Sequence, residues 1–181
     1  QQPQLGTGHA FKQALPHLDQ RASTLVLYGD VPLIAAGTLV AMTAGQAERL
    51  KILTAEIADP HGYGRIVRNA KGAVTAIVEE KDATPQQRRI REINTGIMLL
   101  PGKRLAGWLA KLSNRNAQRE YYLTDVVALA LKDRVKVESC APHHEWEIIG
   151  VNSKQQLAQL ERIYQAHTAT RLLEAGVTLA D

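Results

Sequence analysis

A single carboxylate, Asp30, stands directly after an apolar run in the sequence. Residues 24–28 read TLVLY and predict a buried strand, and Gly29 leads from that strand to Asp30. A carboxylate at a strand end has the chemistry to hold a hard cation such as Mg²⁺, which takes oxygen ligands together with waters and phosphates. The alternative is that Asp30 only caps a turn, since Gly-Asp is common turn chemistry. Spacing alone leaves both interpretations open.

Further polar positions stand where predicted strands and helices begin or end. Gly6 and Thr7 precede a short predicted helix, where free backbone N–H groups can approach a base or a phosphate. Gly64 follows a bend that leaves room for a sugar, while Glu79 ends a predicted strand and Asn94 begins one. Each of these positions, taken alone, is more typical of ordinary turn or surface chemistry than of a binding site.

The elements that must position these residues alternate between strands and helices. Apolar runs predict strands over residues 24–28, 51–57, 64–68, 73–79, 93–100 and 135–140. Residues 5–15 predict a Gly-rich turn that leads into a short helix, and further helices are predicted over residues 38–50, 84–91, 104–112, 123–132 and 154–175. This order is typical of an α/β sheet covered by helices on both faces. Ligands of such sheets bind beyond the carboxyl ends of strands, which is where Asp30 is expected.

The composition excludes several classes of protein. No apolar run approaches the about 20 residues that span a bilayer, so no membrane partner is expected. The net charge is +4, but the densest basic group, Arg88, Arg89 and Arg91, contains no aromatic residue. A solvated helix face is therefore favoured over a nucleic-acid contact. The single cysteine, Cys140, excludes an internal disulfide and fits a reducing cytoplasm.

Taken in order, several motifs resemble one family. They are LGTGHA (5–10), LYGDVPL (27–33), DPHGYGRIV (59–67), IVEEKDAT (77–84), INTGI (93–97), NAQREYYLTD (116–125) and IGVNSKQQL (149–157). Over nearly its whole length the chain resembles the bacterial bifunctional N-acetylglucosamine-1-phosphate uridylyltransferases/glucosamine-1-phosphate acetyltransferases. YGDVPL and GYGRI also fit sugar-nucleotide pyrophosphorylases in general, whereas NAQ before EYYLTD, together with GVN, is closer to this family.

The resemblance implies a Rossmann-like nucleotidyltransferase fold with a mixed sheet, and Mg²⁺ as cofactor. In the family, UTP and N-acetylglucosamine 1-phosphate give pyrophosphate and UDP-N-acetylglucosamine, a precursor for cell wall and lipopolysaccharide. The Asp of GDVP and the Asn of GVN hold the catalytic metal, which maps onto Asp30 and Asn152. The other substrate contacts map onto Gln1, Gly6 and Thr7 for the uracil, Tyr28 and Gly29 for the nucleotide, and Gly64, Glu79, Asn94 and Thr124 for the N-acetylglucosamine.

The resemblance also implies how the chain is organised. Residues 1–152 match part of the uridylyltransferase domain, and 153–176 match a connecting helix capped by Asn152 or Ser153. Residues 177–181 match the start of a left-handed β-helix that carries acetyl transfer. Family members are homotrimers through that β-helix, so these residues alone are expected to be monomeric. Because the family's N-terminal nucleotide loop is not among them, they are also expected to be inactive alone.

Three positions depart from the family pattern. Glu80 stands where a His often follows the sugar-binding Glu, Arg119 replaces a frequent Gly, and Lys154 replaces a common Arg. None of the three removes an expected ligand. Two alternatives remain open: a catalytically inactive truncation that retains a sugar-nucleotide half-site, and a related hexose-1-phosphate nucleotidyltransferase that uses glucose 1-phosphate.

Overall fold

Residues 2–45 and 48–180 are described by a computed structural model. The helices are α1 (Thr7–Ala14), α2 (Ala36–Thr43), α3 (Pro85–Arg88), α4 (Gly102–Lys111), α5 (Val126–Lys132) and α6 (Lys154–Glu174). The strands are β1 (Ser23–Val26), β2 (Leu50–Glu56), β3 (Gly64–Arg68), β4 (Val74–Val78), β5 (Glu92–Pro101) and β6 (Val137–Cys140). Short 3₁₀ turns cover Leu15–His17, Leu123–Asp125 and Glu145–Ile148.

Strand β5 is the centre of a six-stranded mixed sheet. The strand order is β4-β3-β5-β2-β6, and β1 pairs with β5 as well. All pairs are antiparallel except β2 with β6, which is parallel. β2 occupies one edge of β5, so β1 and β3 share the other edge, β1 beside residues 98–101 and β3 beside residues 93–94. The end of β1 and the beginning of β3 therefore face the same short stretch of β5.

Apolar side chains of β5 point alternately into two cores. Met98 and Leu100 lie in one hydrophobic cluster, and Ile97 and Leu99 lie in a second. The first cluster also holds Leu105, Trp108 and Leu109 of α4 with Val126, Val127 and Ala130 of α5, and the second holds Met42 of α2. Burying a side chain of this kind contributes about 1.5–3 kcal/mol. Helices thus pack on both faces of the sheet, and the predicted α/β arrangement is confirmed.

The helix expected over residues 38–50 is wrong in its length. Helix α2 ends at Thr43, Ala44 is extended, and β2 already begins at Leu50. The buried ammonium group of Lys51 donates hydrogen bonds to the carbonyls of Ala41 and Ala44, at 2.8 and 2.7 Å. These bonds satisfy carbonyls that have no partner within a helix that ends here. A side chain from the next strand therefore stabilises the end of this helix.

Helix α6 begins beside Asn152, as predicted. The hydroxyl of Ser153 accepts a hydrogen bond from the backbone N–H of Gln156 at 3.1 Å, so Ser153 is the N-cap. Only Leu160 of this helix is buried, and the centre of the His167 ring lies 5.1 Å from the centre of the Trp146 ring.

Within the described ranges, no helix has both the length and the apolar character that a membrane span requires.

Arg119 has a backbone conformation that explains why a Gly is frequent at this position. Its φ is +57°, in the left-handed region, which costs a residue with a side chain roughly 1–2 kcal/mol. Its backbone N–H donates to the carbonyl of Asn116 at 3.1 Å, so the turn is held in place. The Arg is therefore tolerated at a cost in backbone strain.

We expect Arg119→Gly to stabilise the protein by about 0.5–1 kcal/mol, because relief of strain exceeds the extra freedom of Gly in the unfolded chain. The measurement is the urea-unfolding midpoint. The control is Arg115→Gly in the same loop, where φ lies outside the left-handed region; this change should destabilise the protein. Equal destabilisation by both substitutions would contradict the interpretation of strain at Arg119.

Candidate functional site

A bulge in the middle of β5 forms the floor of the candidate site. Ile52 of β2 pairs with Met98 of β5, and the next pair is Thr54 with Asn94. Between these two pairs β2 has one residue and β5 has three. β5 therefore carries two extra residues at this point. Gly96 lies in the bulge with a φ of +88°, a conformation that Gly adopts without strain. Bulges redirect side chains and are frequent beside active sites. This bulge lies in the gap where β1 ends and β3 begins.

The ring of Tyr28 packs directly over the bulge. A Cβ atom added to Gly96 would lie 2.5 Å from Cε2 of Tyr28, so the ring occupies the space that a side chain would need. Burial raises the pKa of the Tyr28 phenol above its ordinary value, and the negative charges of Glu79 and Asp30 raise it further. Tyr28 therefore remains a protonated phenol, and its ring covers the bulge two residues before Asp30.

The residues expected around the sugar converge beside the same bulge. Gly64, the first residue of β3, is the register partner of Asn94. A Cβ added to Gly64 would lie 3.3 Å from an oxygen of Glu79, so that carboxylate lies over the Gly64 backbone. The hydroxyl of Thr124 donates a 2.8 Å hydrogen bond to Glu79. Gly64, Glu79, Asn94 and Thr124 are far apart in sequence and thus form one cluster of residues, the polar group at the bulge.

Glu79 faces an acidic, open cleft of about 230 Å³ that also includes Asp82, Tyr122 and Asp125. Burial raises the pKa of Glu79, the hydrogen bond from Thr124 opposes that rise, and the charge of Asp82 adds to it. Burial likewise raises the pKa of Asp125, with Glu79 and Asp82 contributing. A cleft rich in carboxyl oxygens suits hydroxyl and amide groups, which donate hydrogen bonds to such acceptors.

The N-terminal residues expected at the uracil lie next to this group. The backbone N–H of Leu123 donates to the hydroxyl of Thr7 at 3.0 Å, one residue before Thr124. Gly6 has a φ of +101°, and a Cβ added there would lie 2.8 Å from the carbonyl oxygen of Tyr121. These contacts hold the start of α1 against residues 121–124. Gln1, the third residue expected at the uracil, lies outside the described residues.

The two residues expected to hold a metal lie on adjoining segments. The backbone N–H of Val151 donates a 2.8 Å hydrogen bond to the carbonyl of Asp30. A Cβ added to Gly150 would be 3.9 Å from Oδ2 of Asp30, so the Asp30 carboxylate lies beside the GVN segment that contains Asn152. Gly29, Asp30 and Asn152 are all exposed. The strand end and the start of α6 thus meet at one point of the surface.

The chemistry of this pair fits Mg²⁺. Asp30 and Asn152 both offer oxygen ligands, and Mg²⁺ is commonly bound by one or two protein ligands together with waters and phosphates. Asp30 takes part in none of the ion pairs found among residues 2–45 and 48–180, so no protein cation neutralises its charge there. The same residues contain no group of three or more His, Cys, Asp or Glu that would hold a metal by themselves. The pair therefore suits a metal that is shared with a substrate.

Three features of the site have no counterpart in the sequence prediction. Gly96 was included only in a continuous strand, although a Gly inside an apolar strand often marks a bulge. Arg65 of β3 is 2% exposed and donates a 2.5 Å hydrogen bond to Glu80. Glu80 is the residue that stands where the family often has a His, so this residue is bound by a side chain of a neighbouring strand. Glu147 is completely buried, and no spacing pattern in the sequence indicates it.

The sequence of this chain matches a known class of protein. Residues 1–164 match the sequence profile of the nucleotidyl transferase family, and the chain belongs to this family. It is 62% identical over 183 residues to the bifunctional protein GlmU of Paraburkholderia xenovorans. It is 61% identical over 181 residues to GlmU of Chromobacterium violaceum, and 59% over 182 residues to GlmU of Aromatoleum aromaticum. Each match covers 100% of this chain and 40% of the relative.

Proposed function

We propose that this chain forms part of an enzyme that transfers uridylyl from UTP to N-acetylglucosamine 1-phosphate. The products are UDP-N-acetylglucosamine and pyrophosphate. The observation that carries the proposal is the polar group at the β5 bulge: Thr124 donates to Glu79, the Tyr28 ring packs on Gly96 of the bulge, and Asp30 follows Tyr28 by two residues. The arrangement offers a site for a sugar on one side and for a metal and phosphates on the other. The similarity to bifunctional GlmU proteins supports the same substrates.

The proposed reaction is an in-line displacement at phosphorus. A phosphate oxygen of the sugar 1-phosphate forms a bond to the α-phosphorus of UTP. The bond between that phosphorus and the bridging oxygen breaks, and its electron pair leaves with pyrophosphate. The attacking group is already an anion, so the protein mainly has to orient the two substrates and reduce their repulsion.

Each site residue then has a role that its position supports. Mg²⁺, when bound, supplies charge neutralisation and a template for the phosphates, and Asp30 and Asn152 would hold it. Glu79 accepts hydrogen bonds from the sugar and is itself oriented by Thr124. Gly64 allows Glu79 to lie close to the backbone, because a side chain at this position would meet the Glu79 carboxylate.

The wider setting follows from the same proposal. Residues 1–152 belong to the uridylyltransferase domain, 153–176 to a connecting helix, and 177–181 to the lead into an acetyltransferase β-helix. The enzyme works in the cytoplasm, as a homotrimer in its full-length form, on small nucleotide and sugar substrates. Nucleic acids and membranes are not among its proposed partners.

The test is a pyrophosphate-release assay with the whole enzyme of which, in this proposal, the chain forms part. We expect release with UTP, Mg²⁺ and N-acetylglucosamine 1-phosphate, at least about tenfold faster than with glucose 1-phosphate, because a site that fits the larger acetamido substituent is left partly unfilled by a hydroxyl. Removal of Mg²⁺ by EDTA should abolish the release. Calorimetric titration with UDP-N-acetylglucosamine and UDP-glucose measures the same preference in binding.

Each alternative has its own outcome. Equal use of glucose 1-phosphate would indicate a related hexose-1-phosphate nucleotidyltransferase. Binding of UDP-N-acetylglucosamine without turnover would indicate a non-catalytic half-site. Absence of both binding and turnover would contradict the proposed function.

A further inference from the structure

We propose that Glu147 is a positioning residue that keeps the segments carrying Asp30 and Asn152 in one fixed arrangement. The inference rests on the proposed function, since those two residues are the metal ligands in that proposal. Glu147 lies in the 3₁₀ turn Glu145–Ile148, and its side chain accepts hydrogen bonds from Ala35 and His144, neither of which is an expected substrate contact. Its effect is therefore exerted through the backbone.

The carboxylate of Glu147 joins two loops. The side chain is 0% exposed. Oε2 accepts a hydrogen bond from the backbone N–H of Ala35 at 3.0 Å, across 112 positions of sequence. Oε1 accepts one from the backbone N–H of His144 at 2.9 Å. Both oxygens of one buried carboxylate are thus committed to backbone groups of different segments.

The loop that carries Asp30 is held at both of its ends by the same stretch of chain. At one end the N–H of Val151 donates to the carbonyl of Asp30 at 2.8 Å. At the other end the N–H of Ala35 donates to Glu147. Between these two bonds, Val31 and Ile34 pack in the hydrophobic cluster that contains Ile148. Residues 30–35 and 147–151 are therefore linked by two hydrogen bonds and a shared hydrophobic cluster, and Asn152 follows directly after them.

A carboxylate is the side chain that this position requires. It presents two acceptor oxygens and no donor, whereas an amide presents one oxygen and an NH₂ group that would face a backbone N–H. Glu147 takes part in none of the ion pairs found among residues 2–45 and 48–180. The backbone N–H groups of Ala35 and His144 thus compensate for burial of the charge. Burial of a charge is costly when such hydrogen bonds are lost.

The test measures metal affinity rather than turnover. Mn²⁺ binding in the presence of UDP-N-acetylglucosamine is followed by EPR, which reports free Mn²⁺ directly. We expect Glu147→Gln to weaken Mn²⁺ binding about tenfold, the size of effect reported for residues that orient metal ligands. Glu147→Gln should leave the metal-free affinity for UDP-N-acetylglucosamine unchanged.

Two further variants separate positioning from general stability. Ala35→Pro removes the N–H that donates to Oε2 without altering Glu147, and the φ of −79° at Ala35 suits Pro. Ala35→Pro should reproduce the loss of Mn²⁺ affinity. It also provides the test if Glu147→Gln fails to fold. Trp108→Phe is the control, because Trp108 lies in the other core cluster and the substitution removes its part-buried hydrogen bond to Asp133. It should lower Tm and leave Mn²⁺ affinity unchanged.

The outcomes distinguish this inference from the proposed function. If the parent protein binds no Mn²⁺ with UDP-N-acetylglucosamine, the proposed function itself fails. If the parent binds Mn²⁺ and the folded Glu147 and Ala35 variants bind it equally well, Glu147 is not a positioning residue. An equal loss of affinity in Trp108→Phe would also overturn the inference, because it would assign the effect to lower stability alone.

Discussion

Asp30→Asn is expected to lower uridylyl transfer about a thousandfold, or roughly 4 kcal/mol of transition-state stabilisation. The substitution keeps the size of the side chain and removes its charge, and that charge is what would attract Mg²⁺ to the end of β1. The carboxylate is exposed and has no ion pair among the described residues, so folding should hardly change. The measurements are kcat in saturating Mg²⁺ and the thermal unfolding midpoint.

The matched control for Asp30→Asn is Asp19→Asn. Asp19 is another exposed aspartate in a turn, and its carboxylate accepts a hydrogen bond from the N–H of Arg21 at 2.8 Å. Its substitution should leave turnover unchanged. Turnover of Asp30→Asn within a factor of about ten of the parent would show that Asp30 only caps a turn, because loss of the charge on a metal ligand should cost several kcal/mol.

Gly96→Ala is expected to destabilise the protein by roughly 3 kcal/mol through strain and overpacking. Its φ of +88° is unfavourable for Ala, and the new Cβ would meet the Tyr28 ring at 2.5 Å. Because the ring must move, affinity for UDP-N-acetylglucosamine should fall as well. Urea unfolding measures the first effect, and calorimetric titration measures the second.

The cost of backbone strain can be separated from the cost of the collision. Gly72 has a φ of +78° and open space around it, so Gly72→Ala should cost only about 1–2 kcal/mol and leave nucleotide affinity unchanged. In a Tyr28→Ala background, Gly96→Ala should cost about as much as Gly72→Ala. A cost for Gly96→Ala that is the same with and without the Tyr28 ring would contradict the packing described here.

Local signals in the sequence were sufficient for most of the elements. The strand prediction over 64–68 agrees with β3, and the Ser153 cap was predicted as one of two candidates. The prediction for 38–50 was wrong because the end of α2 depends on Lys51, which reaches the carbonyls of Ala41 and Ala44 only after β2 has paired. Apolar spacing carries no information about a cap supplied by another element.

The site was predicted through resemblance rather than through spacing. Asp30 stood at a recognisable strand end, yet nothing in the spacing placed Asn152 beside it. That proximity depends on the hydrogen bond between Val151 and Asp30, which exists only in the folded chain. The commitment of Glu147 to the Ala35 N–H is equally non-local. Sequence patterns indicate which groups are available, whereas the fold decides which of them meet.

The central place of β5 in the sheet also sets the order in which the protein can be built. β1 is synthesised long before its partner, since Val26 pairs with Met98. At roughly 5–20 residues per second, the ribosome needs about 4–14 s to pass from one to the other. β2 also waits for β5, whereas β3 and β4 can already pair with each other as a hairpin. For those seconds the apolar TLVL stretch lacks β5, the strand with which it pairs among the described residues. The site residues that follow β1 therefore gain the support of β5 only after most of the sheet's sequence has been made.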